Sequence, residues 1–243
     1  MTNTNDNLYA QKQSTDPFQF DEKVAAVFPD MIKRSVPGYA EVIHHIRLLA
    51  SLYILPKTKC YDLGCSLGAA TLAMSCGNQQ SEVEILGVDN SSAMIERCSN
   101  NIHNFKHQTP IKLIKDDIQN IDIKNASMVV LNYTLQFIPQ TERYDVLNKI
   151  FQGMVSGGIL VLSEKITFPD KQINQLITKL HHQFKRDNGY SDLEISQKRN
   201  ALETVLVPED RNTHVERLQN IGFNHVSCLQ QKLNFATFIA IKA

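Results

Sequence analysis

The sequence predicts an α/β fold with a mostly parallel central sheet. From residue 59 onward, short apolar runs alternate with segments of helical periodicity, and this alternation is typical of parallel strands joined by right-handed crossovers. Two of the runs, 128–131 and 159–162, are continuously apolar, as strands covered by helices on both faces require. These two runs are therefore predicted to be central strands.

Seven strands and the helices between them can be placed in order along the chain. The predicted strands span residues 59–63, 83–89, 111–115, 127–132, 158–163, 224–230 and 234–241. The predicted helices span residues 69–75, 92–106, 140–152 and 211–221, with Gly222 as the cap of the last one. This order describes a Rossmann-like sheet that closes with two consecutive strands.

The chain before the first strand is predicted to form a helical cap, residues 17–57. Asp21 can cap a short helix that Pro29 ends, and a second short helix follows from Asp30. After the Pro-Gly turn at residues 37–38, apolar positions recur at helical spacing from Tyr39 onward: Val42, Ile46, Leu49 and Tyr53.

Residues 17–243 are predicted to form a single domain, and residues 1–16, which are polar, are expected to be disordered. Residues 171–206 interrupt the alternation with a helical insertion of two helices. The first passes through His181, and the second opens with the capping box Ser191-x-x-Glu194. The insertion is expected beside the ligand edge of the sheet.

Composition favours a small-molecule enzyme over a nucleic-acid binder. Of 243 residues, 42% are hydrophobic, and 25 Lys and Arg balance 25 Asp and Glu, so the chain lacks the basic surplus on which phosphate binding depends. The five cysteines form no C-x-x-C pair, as in reduced cytosolic proteins. With neither a signal peptide nor a long apolar run in view, we expect a soluble, cytoplasmic protein that does not bind a membrane.

The motif that bears most on function runs from Cys60 to Asp89. A strand ends in the turn Gly64-Cys65-Ser66-Leu67-Gly68, and a second strand ends at Asp89. Glycines let a ligand approach the backbone closely, and an acid at the end of the second strand can accept both hydroxyls of a ribose. The motif therefore predicts a nucleoside site.

Three other interpretations of this turn stay open on the residues alone. It can be a tight strand-to-helix connection without a ligand. It also fits the G-x-S-x-G nucleophile elbow, with Ser66 as nucleophile, although no strand is predicted before Cys60 and no oxyanion-hole glycine cluster is present. Dinucleotide binding is disfavoured because Ser66 stands where the middle glycine of G-x-G-x-x-G belongs.

Polar residues also end the other predicted strands. Ligands of open parallel sheets bind beyond the carboxyl ends of the strands. Asn90 follows Asp89; Asp117 can accept from an exocyclic amine while Ile118 covers a purine face; Asn132 can hold a polar end of the ligand. No metal is expected, because adjacent pairs such as His44-His45 and His181-His182 point about 100° apart on a helix and chelate poorly.

These residues resemble the class I S-adenosylmethionine-dependent methyltransferases over about residues 58–243. In that family, with its seven-stranded sheet, the first glycine turn holds the amino-acid part of the cofactor and the acid after strand two holds its ribose. The resemblance implies the same for Gly64, Cys65 and Ser66 and for Asp89 and Asn90. Asp117-Ile118 matches the adenine position.

A closer resemblance, to the carboxy-S-adenosyl-L-methionine synthases, covers nearly the whole chain after residue 17. It rests on segments that general methyltransferases lack: Val27-Phe28-Pro29-Asp30-Met31-Ile32, Arg34-Ser35-Val36-Pro37-Gly38-Tyr39, Asn125-Ala126-Ser127-Met128-Val129, Leu162-Ser163-Glu164-Lys165, and the stretch from His182-Gln183-Phe184-Lys185-Arg186 to Gln197-Lys198-Arg199. It implies an enzyme that makes carboxy-S-adenosyl-L-methionine from S-adenosyl-L-methionine and prephenate, with phenylpyruvate and water as the other products. The product would feed a separate carboxymethyltransferase acting on the wobble uridine of tRNA, without direct RNA binding by this chain.

The new carboxylate demands a cation, and Arg199 is the candidate. Ile195, Arg199 and Leu202 recur at i, i+4 and i+7, which places a guanidinium in an apolar stripe; spacing alone equally allows a salt bridge with Glu203. The resemblance implies that Arg199 reaches the product carboxylate of the neighbouring subunit in a homodimer. It also implies that Tyr39 lies at the carboxyl-bearing end of the cofactor, although a core tyrosine is the commoner use.

Three hypotheses follow: the carboxylating synthase, a conventional small-molecule methyltransferase on the same pocket, and a noncatalytic nucleoside-binding protein. Glu164 and Asp62 are expected to support the site. Arg34, Arg186 and Lys165 are candidate contacts for a dianion, and nothing in the sequence selects among them.

Overall fold

The structure is a computed structural model that describes residues 5–11, 18–202 and 205–243. Its centre is a sheet of seven strands in the order β3-β2-β1-β4-β5-β8-β7. The strands are β1 (Lys59–Leu63), β2 (Glu84–Asp89), β3 (Ile111–Lys115), β4 (Ala126–Asn132), β5 (Met154–Thr167), β7 (His225–Lys232) and β8 (Phe235–Ile241). A two-residue strand, β6 (Glu209–Asp210), pairs with β5 off this path. β1 to β5 are parallel and β8 is antiparallel to both β5 and β7, so the predicted α/β fold is confirmed.

Helices cover both faces of the sheet and make two core layers. α2 (Tyr39–Tyr53) and α3 (Ala69–Gly77) lie over one face, and α5 (Arg143–Gly153) and α8 (Arg211–Ile221) lie over the other. Along β4, Met128 and Val130 belong to the first layer while Val129 and Leu131 belong to the second. Each of these four side chains is fully buried, which confirms the expectation that this strand is covered on both faces.

The helical cap differs from the prediction at Pro29. α1 (Glu22–Ser35) runs through this proline as one helix, with the Asp21 side chain capping its start by a hydrogen bond from Val24 N at 2.9 Å. A proline inside a helix removes one backbone hydrogen bond. Here the apolar side chains on both sides of it, Val24 and Val27 before and Met31 after, pack into a common cluster with α4 (Ser92–His103) and α7 (Asp192–Leu202). This shared burial holds the helix together across the missing bond.

The insertion consists of α6 (Lys171–Asp187) and α7, as predicted. The capping box at the start of α7 is confirmed: Ser191 N donates to Glu194 Oε2 at 2.7 Å, and Glu194 N donates to Ser191 Oγ at 3.3 Å. Two short 3₁₀ helices, Ile118–Asn120 and Leu135–Phe137, follow β3 and β4 and were not predicted.

Residues 5–11 depart from the expected disorder. The Asp6 side chain is 1% exposed, and its carboxylate lies 3.5 Å from Lys198 Nζ on α7. Asp6 N also donates to Asp30 Oδ2 at 2.8 Å. A polar segment can be ordered when it supplies the counter-charge of a buried lysine. The rest of the predicted disordered tail, residues 1–4 and 12–16, lies outside the described residues, and the division into tail and domain stays a prediction. None of the described helices is long and apolar enough to cross a membrane.

Candidate functional site

The parallel strands end at one edge of the sheet, and a cavity of about 680 Å³ lies there. Nine of the ten residues predicted for the site line this cavity: Tyr39, Gly64, Cys65, Ser66, Asp89, Asn90, Asp117, Ile118 and Asn132. The tenth, Arg199, does not. The volume suits a drug-sized ligand, and the strand ends predicted from the sequence lie around this cavity.

The turn after β1 is built from left-handed backbone. Gly64 and Gly68 have φ of +82° and +84°, and Ser66 between them has φ of +50°. A Cβ on Gly64 would collide with the Thr134 side chain, so only glycine fits there. Ser66 pays a strain cost that persists only where the surroundings fix it, as at binding sites.

Neither polar side chain of this turn is set up as a nucleophile. The Ser66 hydroxyl donates to the Met94 sulfur at 3.5 Å and not to a base, which argues against the nucleophile elbow. The Cys65 thiol is buried against Cys98, and its hydrogen bond with Cys98 together with burial raises its pKa far above the ordinary value. A thiol of this kind stays protonated.

Asp89 joins the ends of the first two strands. Its Oδ2 accepts from Ser66 N and its Oδ1 accepts from Ser91 N, both at 2.9 Å. Burial raises the pKa of this carboxyl despite the two backbone hydrogen bonds. Each oxygen keeps a second lone pair, and Asp89 lines the cavity, so the carboxylate has the capacity to accept two hydroxyl donors.

The end of the cavity beside β3 is formed by a polar pair and an apolar side chain. Asn90 Nδ2 donates to Asp117 Oδ1 at 2.8 Å, while Ile118 is buried in the core behind them. A flat base can lie on Ile118 while its edge meets the remaining acceptor capacity of Asp117.

Two buried acceptors at the middle of the cavity have no hydrogen-bond partner among the described residues. They are Asp62 Oδ1 and Asn132 Oδ1, and both residues line the cavity. The other oxygen of Asp62 accepts from the Thr71 hydroxyl at 2.6 Å, and burial raises the pKa of Asp62 to about 6. Unsatisfied buried acceptors are costly, and a ligand ammonium group would supply the missing donors. The residues present therefore fit an S-adenosylmethionine-type ligand.

Aromatic side chains wall the cavity beyond Asn132. The rings of Tyr39 and Tyr133 stack with centroids 6.3 Å apart, and Tyr133 meets Phe235 edge-on at 5.8 Å. Burial raises the pKa of both tyrosines, so their hydroxyls remain protonated donors. Tyr133, which is not among the residues predicted for the site, has φ of +64°; its position directly after a strand end is the sequence signal that could have identified it.

Glu164 holds the backbone that follows Tyr133 in this wall. It is fully buried, and its two oxygens accept from Leu135 N at 3.0 Å and Gln136 N at 2.9 Å. Burial raises the Glu164 pKa to about 8, opposed by the charge of Arg143. Its hydrogen bonds hold the short 3₁₀ helix after Tyr133, which is the supporting position expected from the sequence.

Three lysines and a histidine occupy the end of the cavity beside β5: Lys165, Lys185, Lys198 and His181. Of these only Lys165 was a sequence candidate. Burial lowers the pKa of His181 to about 3, and its Nε2 lies 2.8 Å from the Ser35 carbonyl. His181 and Lys185, four residues apart on α6, share one helix face, which is the only sequence signal that could have found them.

Arg199 lies elsewhere. It is exposed and borders a separate surface depression of about 140 Å³ with His182, Arg186, Asp192, Ile195 and Ser196. The expected apolar stripe is confirmed at Ile195 and wrong at Arg199, because the buried face of α7 carries Lys198 where Arg199 was expected. The alternative partner, Glu203, lies outside the described residues. Within the described residues, no group of three His, Cys, Asp or Glu side chains is placed to hold a metal ion.

Comparisons with solved structures identify the fold. A putative O-methyltransferase from Nostoc punctiforme matches with a TM-score of 0.64 at 17% identity, over 91% of this chain and 59% of that chain. Human N-acetylserotonin methyltransferase, solved in complex with SAM, matches with a TM-score of 0.58 at 15% identity, over 91% of this chain and 55% of that chain. The family model of the methyltransferase domain matches residues 61–158. The methyltransferase fold expected from the sequence is thus confirmed.

Curated relatives give a more specific result. The carboxy-S-adenosyl-L-methionine synthase of Photorhabdus laumondii is 53% identical over 93% of this chain and 89% of its own length. The enzyme of the same name from Photobacterium profundum is 52% identical over 98% of both chains. These matches confirm the closer resemblance drawn from the cap and insertion segments, and the chain belongs to the carboxy-S-adenosyl-L-methionine synthase family.

Proposed function

We propose that this protein converts S-adenosyl-L-methionine and prephenate to carboxy-S-adenosyl-L-methionine, phenylpyruvate and water. The observation that carries the proposal is the family match over nearly the full chain at about half identity. The cavity supports it, because one concavity offers both a nucleoside end and a separate cationic end. A conventional methyltransferase on the same pocket is the alternative.

The proposed reaction balances without an outside oxidant or reductant. Loss of carbon dioxide and hydroxide from prephenate leaves phenylpyruvate. The hydroxide and one proton of the sulfonium methyl group make the water, and the methyl carbon forms a bond to the carbon dioxide. The adjacent sulfonium makes this methyl group acidic.

The first substrate would lie along the strand ends from β3 to β4. Asp89 would accept the ribose hydroxyls, and Asp117 and Ile118 would receive the adenine, supported by their positions beside Asn90. Asn132 and Asp62 would take the ammonium group of the methionine part, supported by their two unpartnered oxygens.

Two more predicted contacts belong to the methionine end. The backbone of Gly64, Cys65 and Ser66 would pass close beneath it, which the absent Cβ of Gly64 permits. Tyr39, at the start of α2, would face the carboxyl-bearing end with its protonated hydroxyl.

Water exclusion is part of the proposed chemistry, because water would compete for the carbanion and for carbon dioxide. The helical cap and the loop after β4 supply apolar side chains over the cavity: Phe18, Phe20, Phe28 and Phe137. Phe20 meets Phe28 and Phe137 edge-on at 6.3 and 5.4 Å. This roof connects the cap to the sheet and shields the substrate.

Arg199 would act across a homodimer. Its position outside the cavity of its own chain supports an action on a neighbouring subunit. A surface for such a subunit exists beside it on α6, where Ile173, Leu176 and Leu180 are 45%, 52% and 44% exposed. Spacing of i, i+3 and i+7 puts these side chains on one face of the helix.

The setting of the reaction belongs to the same proposal. The product would supply a separate enzyme that carboxymethylates the wobble uridine of tRNA, and the balance of 25 basic and 25 acidic residues supports a chain that does not bind the RNA itself. A cytoplasmic location is supported by the free thiols of all five cysteines.

Isotope transfer tests the proposal. Purified protein is incubated with S-adenosyl-L-methionine and prephenate whose ring carboxylate carries ¹³C, and the nucleosides are analysed by mass spectrometry. We expect a product heavier than the substrate by one labelled carbon dioxide. Labelled bicarbonate with unlabelled prephenate is the control, and it should leave the product unlabelled if the carbon dioxide stays in the cavity.

The other hypotheses give different products. Accumulation of S-adenosylhomocysteine with a methyl acceptor, and no carboxylated nucleoside, would replace the proposal with the conventional methyltransferase. Binding of S-adenosyl-L-methionine with neither product would leave the noncatalytic binding protein.

A further inference from the structure

Lys165 and Lys185 stand out among the cavity residues because their ammonium groups lack a counter-charge. Both line the cavity, and in the part of the chain that the structure describes no carboxylate lies within ion-pair distance of either one. Lys198, the third lysine, differs because it pairs with Asp6 at 3.5 Å and donates to Ser35 Oγ at 3.0 Å.

The two lysines come from different elements that meet at the contact between the Phe235 and His181 rings. Lys165 near the end of β5 is the register partner of Phe235 on β8, so the two side chains lie on the same face of the sheet. The Phe235 ring meets the His181 ring edge-on at 5.0 Å. Lys185 follows His181 by one helical turn on α6 and so lies on the same side of that helix.

The acidic and the basic residues that line the cavity lie at different ends of it. The acidic residues that line it belong to the ends of β1, β2 and β3: Asp62, Asp89, Asp116 and Asp117. Lys165 is on β5, and β4 stands between β1 and β5 in the sheet. With strands about 4.8 Å apart, the cationic end lies roughly 10 Å from β1.

Burial makes the two free ammonium groups costly. It lowers the pKa of Lys165, and it lowers the pKa of Lys185 to about 7, where repulsion from Lys198 and Lys165 adds to the effect. His181 is neutral and therefore adds no further positive charge. A buried ammonium without a partner is unfavourable. An anion that binds here supplies the missing counter-charge, and its binding is therefore favoured.

The other candidate cations of the sequence are already occupied. Arg34 donates to Asp30 Oδ2 at 3.0 Å and to the Asn188 carbonyl at 2.7 Å, and its guanidinium lies 3.9 Å above the Tyr190 ring. Arg186 donates to Asp192 Oδ1 at 2.8 Å, outside the cavity. Of the three sequence candidates for a dianion contact, Arg34, Arg186 and Lys165, only Lys165 lines the cavity.

We infer that Lys165 and Lys185 bind the carboxylates of the second substrate, a cyclic dicarboxylate, whose ring lies against Tyr133 and Phe235. This inference rests on the proposed function, in which that substrate is prephenate. Two ammonium groups match two carboxylates in charge, and the edge-to-face ring row at this end offers an apolar surface to a flat six-membered ring. The dianion would thereby lie on the methionine side of the first substrate, two strands away from Asp62.

Steady-state kinetics of Lys165→Met and Lys185→Met test the inference. Methionine keeps the length and apolar stem of lysine without the charge. At saturating S-adenosyl-L-methionine, each variant should raise the KM for prephenate about tenfold or more, while the Kd for S-adenosyl-L-methionine, measured by calorimetry, changes less than about twofold. Lys179→Met, an exposed lysine on the same helix, is the matched control and should behave as wild type.

Direct calorimetric titration with prephenate keeps this test separate from the proposed function. If the wild-type protein forms no carboxylated product yet binds prephenate, and both lysine variants lose that binding, the site stands although the proposed reaction fails. An unchanged KM or Kd for prephenate in both folded variants overturns the site, as does a wild-type protein that binds no prephenate. Lys185→Arg, which keeps the charge, should recover part of the affinity; an equal loss in Arg and Met variants would show a packing role instead.

Discussion

The carboxylate of Asp89 holds the backbone of Ser66: its Oδ2 accepts from Ser66 N at 2.9 Å, across the gap between β2 and the turn after β1. The other oxygen accepts from Ser91 N at the start of α4. One side chain thus fixes both the glycine turn and the next helix start. The acid and the turn backbone that line this part of the cavity are therefore coupled, and a change at Asp89 also alters the turn.

Asp89→Asn should weaken S-adenosyl-L-methionine binding by about tenfold or more. An amide in place of the carboxylate turns one NH₂ group toward a backbone N–H that needs an acceptor, and it leaves only one oxygen for the ribose. Calorimetry measures the Kd, with Asp122→Asn, an exposed acid, as the control. A Kd within about twofold of wild type would remove Asp89 from the proposed ribose site.

Gly64→Ala should cost more stability than the same change at Gly157. Both glycines have positive φ, +82° and +79°, so both variants incur a backbone cost of about 1 kcal/mol. At Gly157 a Cβ would have no neighbour within 4 Å, whereas at Gly64 it would collide with Thr134. We therefore expect about 1–3 kcal/mol more loss of unfolding free energy at Gly64. Urea denaturation of the two variants measures the difference, and equal losses would show that Thr134 moves freely aside.

Asp6→Asn should destabilise the whole domain although the residue precedes it. Lys198 is 4% exposed, and burial lowers its pKa to about 8 even with the Asp6 carboxylate opposing this. Removing the negative charge leaves a buried ammonium without its counter-charge, and the amide of the variant keeps one acceptor oxygen for the contacts that two Asp6 oxygens made. A loss of about 2 kcal/mol or more is expected, against less than about 0.5 kcal/mol for exposed Asp122→Asn. Equal urea midpoints for the two variants would contradict an ordered role for residues 5–11.

The sheet was predictable because its strands carry local signals. Apolar runs such as Val129 to Leu131 must be covered on both faces wherever they lie in the chain, and the ends of such strands meet at one edge by topology alone. That is why eight of the nine predicted residues that line the cavity could be selected from strand ends, whereas Tyr39 was selected from the family resemblance. Pro29 shows the limit of a local rule, since packing on both sides of it outweighs one lost hydrogen bond.

Contacts between distant segments had no such signal. Asp6 and Lys198 are 192 residues apart, and no periodicity marks either of them. β6 has two residues and is held by Glu209, whose side chain is 8% exposed and pairs with Arg143 at 2.7 Å and with Arg217 at 2.6 Å. The cationic end of the cavity depends on the way α6 packs against α1, α7 and the Phe235 ring of β8, so Lys185 could not be recognised as a cavity residue from spacing alone.

The proposed dianion site predicts a pH dependence in the second substrate. Lys185 has a lowered pKa of about 7 in the free protein, so above that pH it is neutral and must take up a proton to pair with a carboxylate. The groups that face it are Lys165 from β5, Lys198 from α7 and the neutral His181 on its own helix. Affinity for prephenate should thus fall as pH rises above about 7, by up to tenfold per pH unit.

Measuring the KM for prephenate between about pH 6 and pH 9 checks this. Lys185→Met should show a higher KM with a much weaker rise across the same range. Identical profiles for the variant and the wild type would mean that another group titrates, and the dependence could not then be assigned to Lys185.

Arg199 should act on the neighbouring subunit, and mixed dimers can show this. Arg199 borders a surface depression outside the cavity, whereas Asp89 lines the cavity itself. Arg199→Ala and Asp89→Ala are each expected to be nearly inactive alone. In a mixed dimer, the cavity of the Arg199→Ala chain keeps Asp89 and receives Arg199 from its Asp89→Ala partner, so one of two sites is complete. Random mixing should therefore restore about a quarter of wild-type activity.

If the arginine served its own cavity, every site in the mixture would lack one of the two groups and no activity would return. Leu176→Glu on the exposed face of α6 should abolish the recovery by preventing association, which sedimentation velocity would show directly as a monomer.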